Sequence, residues 1–186
     1  FVSFCAESLG VAKVQVIVTE TKCRRARSPG YGADRQSGDT RGMNQEKKVA
    51  VVGGGPAGLM AAETLAAAGA EVHLYDAMPS VGRKFLLAGR GGLNLTHSEP
   101  FERFVVRFGE RSAQLAPLLQ AFGPDQVRAW AHGLGIETFV GTSGRVFPKD
   151  MKAAPLLRAW LHRLRQAGVR FHMRHRWLGW ADAQAA

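Results

Sequence analysis

Val49-Ala50-Val51-Val52-Gly53-Gly54-Gly55-Pro56-Ala57-Gly58 is the stretch whose reading decides the fold. The apolar run reads as a buried strand, and the Gly53-x-Gly55-x-x-Gly58 pattern turns it into the Ala-rich segment from Leu59 to Ala68. A second strand, Glu71-Val72-His73-Leu74-Tyr75, ends on Asp76, close to the ~20-residue spacing expected of a ribose-binding acid. Gly53 permits a tight turn, Gly55 leaves no Cβ in the path of a pyrophosphate, and Gly58 lets the helix pack close to the sheet. The helix N-terminus then offers unsatisfied N–H donors and a positive dipole end to the phosphates. Together the strand, turn, helix and terminal acid predict an α/β, Rossmann-like domain that holds a dinucleotide at this turn. An ordinary glycine-rich turn would leave the three glycines and Asp76 unexplained.

At 186 residues the chain is long enough for one domain with a sizeable core. Its hydrophobic fraction of 46% suits a globular protein, and no apolar run approaches the ~18–20 residues needed to span a bilayer. Both cysteines, Cys5 and Cys23, lie near the start, which argues against a disulfide framework and makes a reducing cytoplasm the expected compartment. The formal charge of +10 raises nucleic acid as a partner, but the arginines are spread along the chain and no recognition motif accompanies them. Arg170, Arg174 and Arg176 form one denser stretch.

Residues 1–42 stand apart. Val11 to Val18 alternates as a strand would, without an evident partner, and a Gly/Ser/Asp/Arg-rich stretch from Ser28 to Gly42 follows the cluster Cys23-Arg24-Arg25-Ala26-Arg27. Met43-Asn44-Gln45-Glu46-Lys47-Lys48 then leads directly into the first strand. The expected organisation is a non-native or disordered extension over 1–42. Residues 43–186 would form the N-terminal part of the dinucleotide-binding domain, which stops after an apparent strand and so is expected to be incomplete at its C-terminus.

Beyond Asp76 come Gly82-Arg83-Lys84, then Ala88-Gly89-Arg90-Gly91-Gly92-Leu93-Asn94-Leu95-Thr96-His97, and later Gly144-Arg145-Val146-Phe147-Pro148. In order and spacing these motifs resemble the BaiN-like, aminoacetone-oxidase-like flavoproteins of bacteria, over a span from about Lys47 to Trp180. That family carries GxGRKxxxSGxGRxNxT after the ribose acid and ExxGRxFP further on. Ala88 stands where the family has Ser, Leu93 where it has Cys, and His97 where it has Asn. The resemblance implies a Rossmann-like FAD-binding domain interrupted by an inserted domain, with a C-terminal return that closes over the flavin. It also implies that FAD is the cofactor, that the complete protein is an FAD-dependent oxidoreductase, and that a backbone amide near Trp177 meets the adenine.

The residues alone leave FAD and NAD(P) both open, because Pro56-Ala57 and Asp76 would serve either cofactor. An NAD(P)-dependent dehydrogenase and an RNA-associated protein are the alternatives. The second glycine-rich loop, with Gly91, Gly92 and Asn94, is composed to pass close to the pyrophosphate and flavin edge, and Arg83 and Lys84 would offset phosphate charge. The absence of cysteine in this region excludes a resident redox disulfide. A small-molecule substrate is the expected partner, with NAD(P)H a candidate reductant, and neither membrane nor nucleic acid is expected.

In the second half, Leu115, Leu118, Leu119 and Phe122 fall at helical spacing, and Gly123-Pro124-Asp125 opens a further helix through Val127, Trp130 and Leu134. Ile136 to Val140 and Gly144 to Pro148 flank Gly141-Thr142-Ser143 as a β-hairpin. A helix from Ala153 to Ala167 turns Leu156, Leu157, Trp160, Leu161 and Leu164 inward, with Arg158, His162, Arg163 and Arg165 outward, and Val169 to Met173 alternates as a strand. Trp130 and Trp160 read as core. His172 and His175, three apart, would lie on opposite faces of a strand, and the histidines show no metal-ligand spacing. His97 reads as a loop residue making a structural hydrogen bond. No catalytic acid or base is indicated.

Deletion of residues 1–42 is expected to leave the remainder folded. Far-UV circular dichroism and thermal melting of residues 43–186 test this, and a collapse of either would show that the extension is integral.

Overall fold

The computed structural model describes residues 3–5, 15–19, 47–89 and 91–179. Of residues 1–42, expected to be a non-native or disordered extension, all but 3–5 and 15–19 lie outside them, as do the C-terminal residues 180–186. Two compact units partition the chain, residues 1–79 with 168–186, and residues 80–167.

The first unit holds a five-stranded sheet. Its strands are β1 (Ser3–Cys5), β2 (Gln15–Thr19), β3 (Lys48–Val52), β4 (Glu71–Asp76) and β8 (Arg170–Met173), in that spatial order. β3, β4 and β8 run parallel, with Val49 beside Val72, Leu74 beside Phe171 and Tyr75 beside His172. A parallel pair needs a crossover, and α1 (Pro56–Ala67) supplies it between β3 and β4. Proline at the first helical position fits there, because its missing N–H would have had no intrahelical partner. Val49, Val51, Val72 and Leu74 on one sheet face are buried together with Leu59 and Ala62 of α1. The opposite face carries Lys48, Glu71, His73, Tyr75, Arg170 and His172, as the period of two in a strand requires.

β2 pairs antiparallel with β3 along its whole length, and β1 pairs with β2. Residues 15–18 of the alternating stretch, within the extension expected to be non-native or disordered, thus have the partner that the sequence did not reveal.

The second unit contains α2 (Arg83–Ala88), β5 (Thr96–His97), α3 (Phe101–Val106), α4 (Ser112–Ala121), α5 (Pro124–Gly133), β6 (Thr138–Val140), β7 (Arg145–Pro148) and α6 (Ala153–Gln166). The expected hairpin is present, β6 and β7 pairing antiparallel, and β5 adds a third strand to β7. The core forms around α6, whose Leu156, Trp160 and Leu164 are at most 2% exposed. Trp130 meets Trp160 edge to face at 4.7 Å, so both tryptophans are packing residues.

Two expectations change. Arg163 does not simply face outward, for its guanidinium lies 6.0 Å from the Trp130 ring centroid, within cation–π range. The apolar positions of α4 do not form a buried stripe, since Leu118 is 65% exposed and Phe122 42%.

Trp160→Ala is expected to cost about 3–5 kcal/mol, the range for truncating a buried aromatic. Denaturant unfolding followed by circular dichroism measures it, and a loss below ~1 kcal/mol would mean that α6 is not the centre of the second unit.

Candidate functional site

The turn after β3 is built from backbone. Gly53 adopts φ 104°, in the left-handed region, and its N–H donates to the Tyr75 carbonyl at 2.8 Å. A Cβ on Gly58 would stand 1.8 Å from the Gly53 carbonyl oxygen, so only glycine lets α1 approach the turn. A Cβ on Gly55 would meet nothing within 4 Å. The same motif therefore contains one glycine required by packing and another facing open space. No side chain caps α1 and its first turn holds no acid, so the N–H groups of Ala57 and Gly58 are left without an intrahelical partner.

Asp76 ends β4 with both carboxylate oxygens engaged. Gly54 N–H donates to Oδ2 at 2.6 Å and Met78 N–H to Oδ1 at 2.7 Å. Each oxygen keeps a further lone pair for a ribose hydroxyl. Asp76 thus also fixes the glycine turn, a role that the sequence did not suggest.

A cavity of ≈ 370 Å³ opens at the C-terminal ends of the parallel strands, lined by Gly53, Tyr75, Asp76, His175, Arg176 and Trp177 among others. This is where ligands bind open α/β sheets. Of the residues expected to hold the cofactor, Gly53, Gly55, Pro56, Ala57, Gly58, Asp76 and Trp177 all belong to this first unit. Arg83, Lys84, Gly91, Gly92 and Asn94 belong to the second. Arg83 and Lys84 open α2 and are exposed, as is Gly91. Gly92 packs on Met151, whose Cε would lie 2.6 Å from an added Cβ. The Asn94 amide nitrogen, turned toward the Thr96 and Val146 carbonyls at 2.8 and 3.2 Å, anchors the loop to the small sheet.

A family model described as the HI0933-like protein Rossmann domain matches residues 47–186. The chain belongs to that family. No curated protein matches it. Among solved structures, the THI4 protein of Thermovibrio ammonificans is 20% identical, with a TM-score of 0.41. The match covers 67% of this chain and 37% of that one.

In this HI0933-like Rossmann domain the sheet face beside the cavity is lined with ionisable groups. Glu71 receives Lys48 at 3.3 Å, Arg170 at 3.1 Å and His73 Nε2 at 3.1 Å. His73 Nδ1 in turn faces His172 Nε2 at 2.9 Å, and Tyr75 stacks on His172 at 4.5 Å. His172 and His175 are not on opposite faces as the strand pattern implied. β8 ends at Met173, Arg174 takes φ 62°, and the His175 ring comes to 5.9 Å from that of His172. Among the described residues no group of three or more His, Cys, Asp or Glu could hold a metal, and no helix is long and apolar enough to cross a membrane.

His97, the histidine near the glycine loop, is structural as expected. Its Nε2 faces the Ser143 carbonyl at 3.0 Å and its Nδ1 accepts the Glu99 N–H at 3.2 Å, which fixes the hydrogen on Nε2. The Glu99 carboxylate is 3.5 Å from Nδ1, but the backbone amide is the nearer, better-matched partner. Gly144 (φ 79°) turns the hairpin directly against this ring, where a Cβ would come to 2.6 Å.

Partial burial, followed by the charges of His73, His175 and Arg170, pushes the His172 imidazole below its usual value of 6.5. The folded state then binds fewer protons than the unfolded one below that pH. The contribution is complete above about 6.5 and is lost as pH falls toward the lowered folded value. The unfolding midpoint is expected to drop across that window, and His172→Gln should flatten the drop. An unchanged pH profile in the variant would remove His172 from the account.

Proposed function

We propose that this chain is the FAD-binding part of a flavin-dependent oxidoreductase of the BaiN-like, aminoacetone-oxidase-like kind. It would act in the cytoplasm on a small-molecule substrate, with NAD(P)H a candidate reductant. One observation carries the reading: the uncapped N-terminus of α1 and the open side of Gly55 adjoin Asp76 and the cavity that reaches Trp177. An adenosine diphosphate needs all of these, with donors for the pyrophosphate, clearance for its approach, an acceptor for the ribose and a wall for the adenine.

The residues divide the work. Gly53 and Gly55 present backbone, and Pro56, Ala57 and Gly58 form the first turn that faces the pyrophosphate. Asp76 orients the ribose, and a backbone amide near Trp177 receives the adenine edge. By the motif resemblance, Arg83 and Lys84 would offset phosphate charge, and Gly91, Gly92 and Asn94 would form the loop that flanks the flavin. When bound, the isoalloxazine supplies the redox chemistry, and the protein's part is position and electrostatics. Family membership and the motif resemblance support the flavin over the nicotinamide reading.

In the complete protein, Gly55→Val is expected to abolish flavin retention, because a branched side chain fills the phosphate approach. Asp76→Ala should weaken FAD binding by roughly 1.5–3 kcal/mol, the range for hydrogen bonds to a charged group. Trp177→Val should keep the flavin, since backbone makes the contact, whereas removing residues 169–180 should lose it. Absorbance of purified variants at the flavin bands reads all four, and stoichiometric flavin in Gly55→Val would place the cofactor elsewhere.

A further inference from the structure

A second cavity, of ≈ 450 Å³, opens within the second unit among β5, β7 and the helices α3 to α5. Its volume falls in the ~300–1,000 Å³ range of small-molecule sites. Phe104, Leu119, Phe122 and Val127 supply apolar walls. Its charged lining residues are Arg107 and Arg145, and no Asp or Glu lines it.

The two arginines differ. Arg107 is committed to Glu99, donating from Nε to Oε1 and from Nη2 to Oε2, the latter at 3.0 Å. That pairing holds the Glu99 carboxyl below the usual carboxylate range. Arg145 makes no ion pair among the described residues. It sits opposite His97 in the β5–β7 register, so both side chains occupy one face of the small sheet. With both nitrogens of His97 already bonded and Arg107 held by Glu99, Arg145 is the charged lining residue best placed to bind a ligand. The N-terminus of α5, at Gly123 and Pro124, also borders the cavity and adds partial positive charge, tempered by Asp125 in its first turn.

We propose that this cavity binds a small organic carboxylate with an apolar or aromatic body, its carboxylate held by Arg145 and its body among Phe104, Phe122 and Val127. The guanidinium fork matches a carboxylate in two parallel hydrogen bonds, and the apolar walls select against small hydrophilic anions. The site lies wholly in the unit without the nucleotide turn, so its test does not depend on flavin.

Isothermal titration calorimetry of the 186-residue chain with 4-phenylbutyrate and with its neutral amide tests the proposal. The acid should bind at least roughly tenfold more tightly than the amide, as expected for a charge-assisted pair. Arg145→Met should erase that preference while leaving the amide's affinity in place, and Arg145→Lys should retain part of it. Thermal melting confirms that the variants fold, since Arg145 is exposed. Equal affinity for acid and amide, no binding of the acid, or an unchanged preference in Arg145→Met would each overturn the assignment.

Discussion

The nucleotide half of this molecule depends on the distance between α1 and the turn that precedes it. The Gly53 carbonyl and the Gly58 Cα are so close that a single added methyl would overlap the oxygen. That contact directs the axis of α1 at the end of β3 and places the first-turn N–H groups over the turn. Because α1 also covers Val51 and Leu74, the same contact seals the apolar face of the parallel sheet. Anion-binding geometry and core packing are therefore one constraint, satisfied by removing a side chain rather than by adding one.

Asp76 extends this economy. It accepts from Gly54 and Met78 backbone N–H groups, and so ties the end of β4 to the glycine turn of β3. His175 N–H donates to the Asp76 carbonyl at 2.9 Å, and Arg174 N–H to that of Met78 at 3.2 Å, which ties in the segment after β8. Three consecutive parallel strands are thus joined at their C-terminal ends through one residue. A carboxylate suited to a ribose is held in place before any ligand arrives, which lowers the cost of ordering it on binding.

Much of this was legible because the signals were local. Strand, turn, helix and acid follow from a glycine spacing and two apolar runs, and α6 from one strong helical stripe around Trp160. Other features were not encoded locally. β5 is two residues long and exists only because β7 offers it an edge. The convergence of His175 on His172 depends on a left-handed Arg174, a conformation uncommon for a non-glycine residue and without a sequence signature. The alternation near Val11 to Val18 gave a strand but not its partner, since pairing is non-local. Helical spacing at Leu118 and Phe122 predicted burial that the described residues do not provide, because periodicity specifies a face but not what covers it.

The polar face of the sheet follows a stricter logic than its composition suggests. A carboxylate can only accept, so Glu71 requires a hydrogen on Nε2 of His73. With its other nitrogen unprotonated, His73 accepts at Nδ1, and His172 must then donate from Nε2. The chain of hydrogen bonds thus has one direction, running from β8 through β4 to a carboxylate flanked by Lys48 and Arg170. Side chains thus reinforce the backbone pairing of β8 with β4, and β8 is the strand that leads into the wall of the nucleotide cavity.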